Sequence, residues 1–162
     1  MSEDPMLYYQ EQIEGWTEMM HESEDCKSKR FYQRLIKSAQ KKNAAYQRVM
    51  FAFLETGVGL TLARKGQWAL ILPDASEPGR YRYQLFDESG FIGHVVRDSG
   101  EEAVKEAFIE GFREVAEGDV LATLSKTDKW KVGTLRNDLI SQVNRGQITH
   151  EEANRRYLSL AA

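Results

Sequence analysis

The chain has 162 residues and a mass of 18.6 kDa, with 41% hydrophobic and 29% charged residues and a formal net charge of -3 from 22 basic and 25 acidic side chains. That composition excludes a disordered or fibrous protein and a globally basic nucleic-acid binder. Cys26 is the only cysteine, so no disulfide forms within the chain; the longest strongly apolar stretch, Trp68 to Leu72, is too short to cross a bilayer. Met1-Ser-Glu-Asp lacks the basic then apolar run of an export signal, and the expected setting is the reducing cytoplasm, without membrane contact.

Charge comes in blocks. Residues 1 to 25 carry 8 carboxylates and no lysine or arginine; residues 26 to 48 carry 8 basic side chains and no carboxylate. Both blocks have helical periodicity. Tyr9, Ile13, Trp16 and Met20 form one apolar stripe beside acidic Glu11, Glu14, Glu18, Glu22 and Asp25. In the second block Lys27, Arg30, Arg34, Lys37, Lys41 and Arg48 fall within an arc of about 80°, next to a broad apolar face that includes Phe31, Leu35, Val49 and Phe53. The spacing predicts helices over about 6–20 and 28–55, joined near His21 to Lys29 as an antiparallel hairpin whose acidic and basic stripes run side by side.

After Glu55 the period changes. Gly57 and Gly59 end the helix, and runs at Val58 to Ala63, Gln67 to Leu72, Arg80 to Leu85 and Phe91 to Val96 alternate between turn signals. They predict three or four antiparallel strands in a meander within 58–97. Ser99 with Glu102 forms a capping box opening a helix over 100–117, with Val104, Phe108, Phe112 and Val115 buried and Glu102, Glu106, Glu110, Glu114 and Glu117 on an acidic outer face ended by Gly118. Asp119 to Thr123 is compatible with one more strand or a buried turn. Residues 1–133 thus read as one α+β domain and 134–162 as a C-terminal helical hairpin, packed on it or serving as a docking appendage. In that hairpin Thr134 caps a helix burying Leu135, Leu139, Ile140 and Val143, and Thr149 with Glu152 boxes the next. Leu135 to Leu160, with Gly146, Ile148, Thr149, Glu151 and Glu152 at its turn, resembles the short C-terminal helical-hairpin family called SHOCT, although Ala153 stands where that family has an aromatic. The resemblance implies an oligomerisation or docking accessory.

Catalytic and metal-binding signals are sparse. His21, His94 and His150 have no mutual spacing that puts two ligands on one helical face. His94, on a strand near Gly93, is a conceivable base and makes a small enzyme centred on it the weakest alternative. Cys26 with His21, Glu22 and Asp25 has the atom types for zinc but lacks a second sulfur pair, so no metal and no cofactor are expected. Trp130, in the polar run Lys126-Thr-Asp-Lys-Trp-Lys, is either an anchor against a distant element or an exposed binding hot spot. These readings define a non-enzymatic protein that binds a macromolecular partner through charge-patterned helical faces, as an inhibitor or regulatory accessory. Its protein-binding set is Glu102, Glu106, Glu110, Glu114 and Trp130. The alternative is nucleic-acid binding through Arg30, Arg34, Lys37, Lys41 and Arg48.

Overall fold

A computed structural model describes residues 4–160. In chain order the elements are α1 (Pro5–Glu22), α2 (Cys26–Thr56), β1 (Thr61–Arg64), β2 (Gln67–Pro73), β3 (Tyr81–Asp87), β4 (Gly90–Arg97), α3 (Gly100–Ile109), β5 (Glu114–Val115), α4 (Val120–Leu124), α5 (Asp128–Asn144) and α6 (His150–Leu160). The fold is α+β, with helices at both ends of the chain around one antiparallel sheet of order β4-β3-β2-β1-β5.

Capping groups define the helix starts. Asp4 accepts from the Met6 amide and Pro5 follows it, where a missing N–H costs nothing. Asp25 accepts from both the amide and the hydroxyl of Ser28, which holds its carboxyl below the usual carboxylate range and ends the short link between α1 and α2. The two helices pack antiparallel along most of α1, with the Gln47 amide reaching Met6 Sδ near the open end of the hairpin.

The sheet has two unlike faces because side chains alternate along each strand. Leu62, Ala69, Ile71 and Tyr83 share one face and are fully buried under the C-terminal part of α2 and under α3, where Tyr46, Val49, Phe53, Val104, Phe108 and Phe112 complete the core. Tyr46 meets Phe108 edge to face at 5.0 Å, and burial pushes its phenol up to about 12. On the opposite face Trp68 stacks on Phe86 at 5.7 Å, and Trp130 of α5 closes over Phe86 and Phe91 at 6.0 and 5.2 Å. Backbone proximity makes that closure possible. A Cβ on Gly133 would lie 1.8 Å from the Ser89 carbonyl oxygen, so only glycine lets α5 lie this close to the β3–β4 turn.

Three expectations need correction. The helix expected over 100–117 stops at Ile109, and Gly111, not Gly118, is its terminator. Gly111 takes φ 104°, its amide donates to Phe108 O, and the Phe112 amide donates to Ala107 O, a paired closure that turns the chain back into the core. Beyond it Glu114–Val115 becomes β5 against β1, which leaves Val115 41% exposed rather than part of a helical stripe. The stretch Asp119 to Thr123 is not a strand: Asp119 accepts from the Ala122 amide and starts α4. Finally, α5 begins six residues before the expected Thr134, because Thr127 accepts from the Trp130 amide and caps it earlier. Gly111→Ala would place a Cβ in a left-handed backbone and 3.2 Å from Arg64 Cδ. Urea unfolding of that variant should show a loss of about 1–2 kcal/mol.

Candidate functional site

A compact protein of this mass should expose about 8,000 Å², whereas this chain exposes 10,730 Å². One contributor is α2. Its 31 residues make a rod of about 46 Å, and its buried residues are confined to Ala39, Ala45, Tyr46, Val49 and Phe53. No residue from Cys26 to Ser38 is buried, and α1 is the element that α2 packs against most extensively, so this stretch reads as the outer part of a two-helix arm.

The charges on this arm are sorted by helical phase. Glu11, Glu14, Glu18 and Glu22 lie about 170° round α1 from the Tyr9, Ile13, Trp16 and Met20 face that meets α2. The row Lys27, Arg30, Arg34, Lys37, Lys41 and Arg48 is exposed throughout and lies about 160° round α2 from Tyr32, Ile36 and Ala39, which face α1. The expected side-by-side stripes are thus corrected: acid and base occupy opposite outer edges, because both helices spend their apolar faces on each other. Among the described residues no ion pair joins Glu11, Glu14, Glu18, Glu22, Glu24 or Asp25 to the basic row; the ion pairs formed lie elsewhere, such as Arg80 with Glu77 and Asp98 and Arg97 with Glu106. Two packed helices put the edges about 20 Å apart, well beyond a screening length of about 8 Å at physiological salt. The basic edge therefore keeps its own field, and Arg30, Gln33, Arg34 and Lys37 line a shallow concavity of about 430 Å³ on it.

The acidic set fares differently. Glu102, Glu106 and Glu110 lie along α3 and its C-terminal cap, but Glu114 lies on β5, so the four do not form one helical face. Glu102 accepts from the Asp98 amide in the capping box, at 3.2 Å. Glu106 takes two bonds from the Arg97 guanidinium, at 2.6 and 3.2 Å, and this hydrogen-bonded cation holds its carboxyl below the usual carboxylate range. Glu110 accepts from the Tyr83 hydroxyl at 3.0 Å, and burial together with that carboxylate raises the Tyr83 phenol. Arg64 donates to the Glu110 carbonyl at 2.7 Å, with its guanidinium over the Phe112 ring. These carboxylates tie α3 to the sheet. Because Glu106 is held below its ordinary pKa, its stabilisation is complete above that range and is lost as pH falls through the lowered value. Glu106→Gln should remove that part of the acid dependence while costing under about 1 kcal/mol in thermal unfolding, since the pair is about a third exposed.

Trp130 is 6% exposed and its indole is committed to the Phe86 and Phe91 cluster, which is the anchor reading and removes it from the exposed candidates. His94 lies exposed on the edge strand β4 opposite Gln84, whose amide donates to the Gly93 carbonyl at 2.7 Å. His21 ends α1 and His150 begins α6, so the structure brings no two of the histidines together. Among the described residues no group of three or more His, Cys, Asp or Glu side chains is placed to hold a metal ion; the Asp25 carboxylate serves as the α2 cap and Cys26 is exposed beside it. No helix among the described residues is long and apolar enough to cross a membrane.

A second concavity, about 550 Å³, lies between α5 and α6 and is lined by Leu139, Ile140, Val143, Ala153, Tyr157 and polar groups that include Arg136 and His150. Residues that the sequence reading missed as candidates are Met19 and Phe31, each 50% exposed on the arm. Their signal was the length of the second helix, which is longer than a single small core can cover. Compared with protein-family models, curated proteins and solved structures, the chain gives no match.

Proposed function

We propose that the protein is a non-catalytic, cytoplasmic binding protein that docks an acidic surface of a protein partner on the outer edge of α2, acting as a regulatory accessory. The observation that carries this reading is the exposed, unneutralised row from Lys27 to Arg48, about 32 Å long. The exposed apolar residues Met19 and Phe31 near it favour a protein partner over a phosphate backbone, since backbone phosphates offer nothing for a thioether or a phenyl ring to bury against. The lone exposed Cys26 fits a reducing setting. The α5–α6 hairpin is read as an accessory docking element, as its resemblance to the SHOCT hairpin implies.

The test uses two probes, poly-L-glutamate and a duplex DNA of about 20 base pairs, titrated against the full chain by fluorescence anisotropy from about 50 mM salt upward. Saturable binding of poly-L-glutamate that weakens with salt is the expected result. Tighter binding of the duplex would transfer the edge to the nucleic-acid reading of Arg30, Arg34, Lys37, Lys41 and Arg48. No binding of either probe at low salt would remove α2 from the mechanism.

A further inference from the structure

Helical phase repeats every 18 residues, or five turns. Phe31 therefore has the phase of Val49, and Leu35 that of Phe53; the later pair is in the core, while Phe31 is 50% exposed and Leu35 half-buried. On α1, Trp16 lies between the phases of Pro5, which is buried, and Tyr9, which packs against the core, with Met19 on the flank beside it. The flank of the hairpin that the domain covers at one end thus continues toward the tip as an apolar trough, with Met19 and Phe31 exposed on its rims and the half-buried Trp16 and Leu35 between them where the two helices meet. Its borders are unlike. Lys27, Arg30 and Arg34 flank it on the α2 side, and Glu18 and Glu22 on the α1 side.

We propose that this trough seats an amphipathic helix of a partner protein, whose apolar stripe fills it and whose acidic border lies over Lys27, Arg30 and Arg34, completing a three-helix bundle. The proposal rests on the acidic-partner reading and deepens it by naming the element that docks. A helix is the fitting shape because the arm that carries the trough runs straight for about 20 Å, from Cys26 to Ser38, so a helix of about 13 residues can lie along it with its apolar stripe on Phe31 and Leu35. The charge borders set its orientation about its own axis: an acidic border on the α1 side would face Glu18 and Glu22.

The experiment uses two synthetic helical peptides of about 14 residues with leucines at i, i+3, i+4 and i+7, one bordered by glutamates and the other by lysines on the side that would face α2. Anisotropy with the full chain should show saturable binding of the glutamate-bordered peptide only, weakened at least about tenfold by Phe31→Ser. The same Phe31→Ser protein should bind poly-L-glutamate as the parent does, and its unchanged far-UV circular dichroism melt would show that it folds. Equal binding of the two peptides, or no effect of Phe31→Ser, overturns the proposal. So does sedimentation equilibrium showing a dimer that Phe31→Ser dissociates, which would give the trough to a second copy. Failure of the parent chain to bind the glutamate-bordered peptide while it still binds poly-L-glutamate counts against the helix seat alone, and peptide binding that survives reversal of Arg30 and Arg34 counts against the basic edge.

Discussion

Changing Arg30, Arg34, Lys37 and Lys41 together to glutamate should weaken binding of an acidic partner or of poly-L-glutamate by at least about a hundredfold at moderate salt. The four side chains are exposed on one edge of α2, and among the described residues none of them forms an ion pair with the acidic residues Glu11 to Asp25. Reversal therefore replaces an attractive edge by a repulsive one without breaking an internal contact, and the melting temperature should barely move. The matched control is reversal of Glu102 and Glu106 to lysine. Those side chains cap α3 and clamp Arg97, so their loss should appear in thermal unfolding rather than in binding. If the basic reversal leaves binding unchanged, or if the acidic reversal abolishes it, the recognition edge is misplaced. An affinity that is flat between low and high salt would also contradict an electrostatic contact of this kind.

The second large effect is expected from Trp130→Ala. The indole closes the sheet face that the main core does not use, packing edge-on against Phe86, which is fully buried, and Phe91. Removing it leaves a cavity beside Phe86 and Phe91 and releases the start of α5. Loss of a buried aromatic of this size costs about 3–5 kcal/mol, which in a chain of this length lowers the melting temperature by roughly 10 °C. Trp130→Phe should recover most of it, because an edge-to-face aromatic contact remains available. Near-ultraviolet circular dichroism and denaturant unfolding measure both. A Trp130→Ala protein as stable as the parent would mean that α5 is held by its other contacts, such as Asn137 with the Phe91 carbonyl at 3.2 Å and Lys129 with Glu88 at 2.5 Å.

Why some features were legible and others not follows from the range of the interactions involved. The α1–α2 hairpin, the meander and the Ser99 cap all rest on residues within a few positions of one another, so periodicity and turn chemistry suffice to place them. Gly111 and Gly118 are equally good terminators by type. The choice between them depended on Phe112, whose ring had to reach the core, and on a register for Glu114–Val115 against β1 that lies fifty residues earlier in the chain. Trp130 reads as lying in a polar connector because its partners Phe86 and Phe91 are about forty residues away. The sequence therefore left open whether it was an anchor or a hot spot.

For the binding surface the division is similar. Sorting of cations and carboxylates onto helical stripes is a local property, since a stripe needs only the 3.6-residue period, and the blocks at 1–25 and 26–48 show it unaided. Whether those stripes neutralise one another is a matter of how the helices are rotated when they pack. That rotation leaves Ile13, Trp16, Tyr32 and Ile36 half-buried while both charged stripes are exposed. In the same way, the amino-acid order determined a long amphipathic second helix, while the size of the folded core decided that its first turns stand beyond it with Phe31 half in solvent. Local periodicity determined what each helix carries; the tertiary packing of apolar faces decided which of those charges remain free to meet a partner.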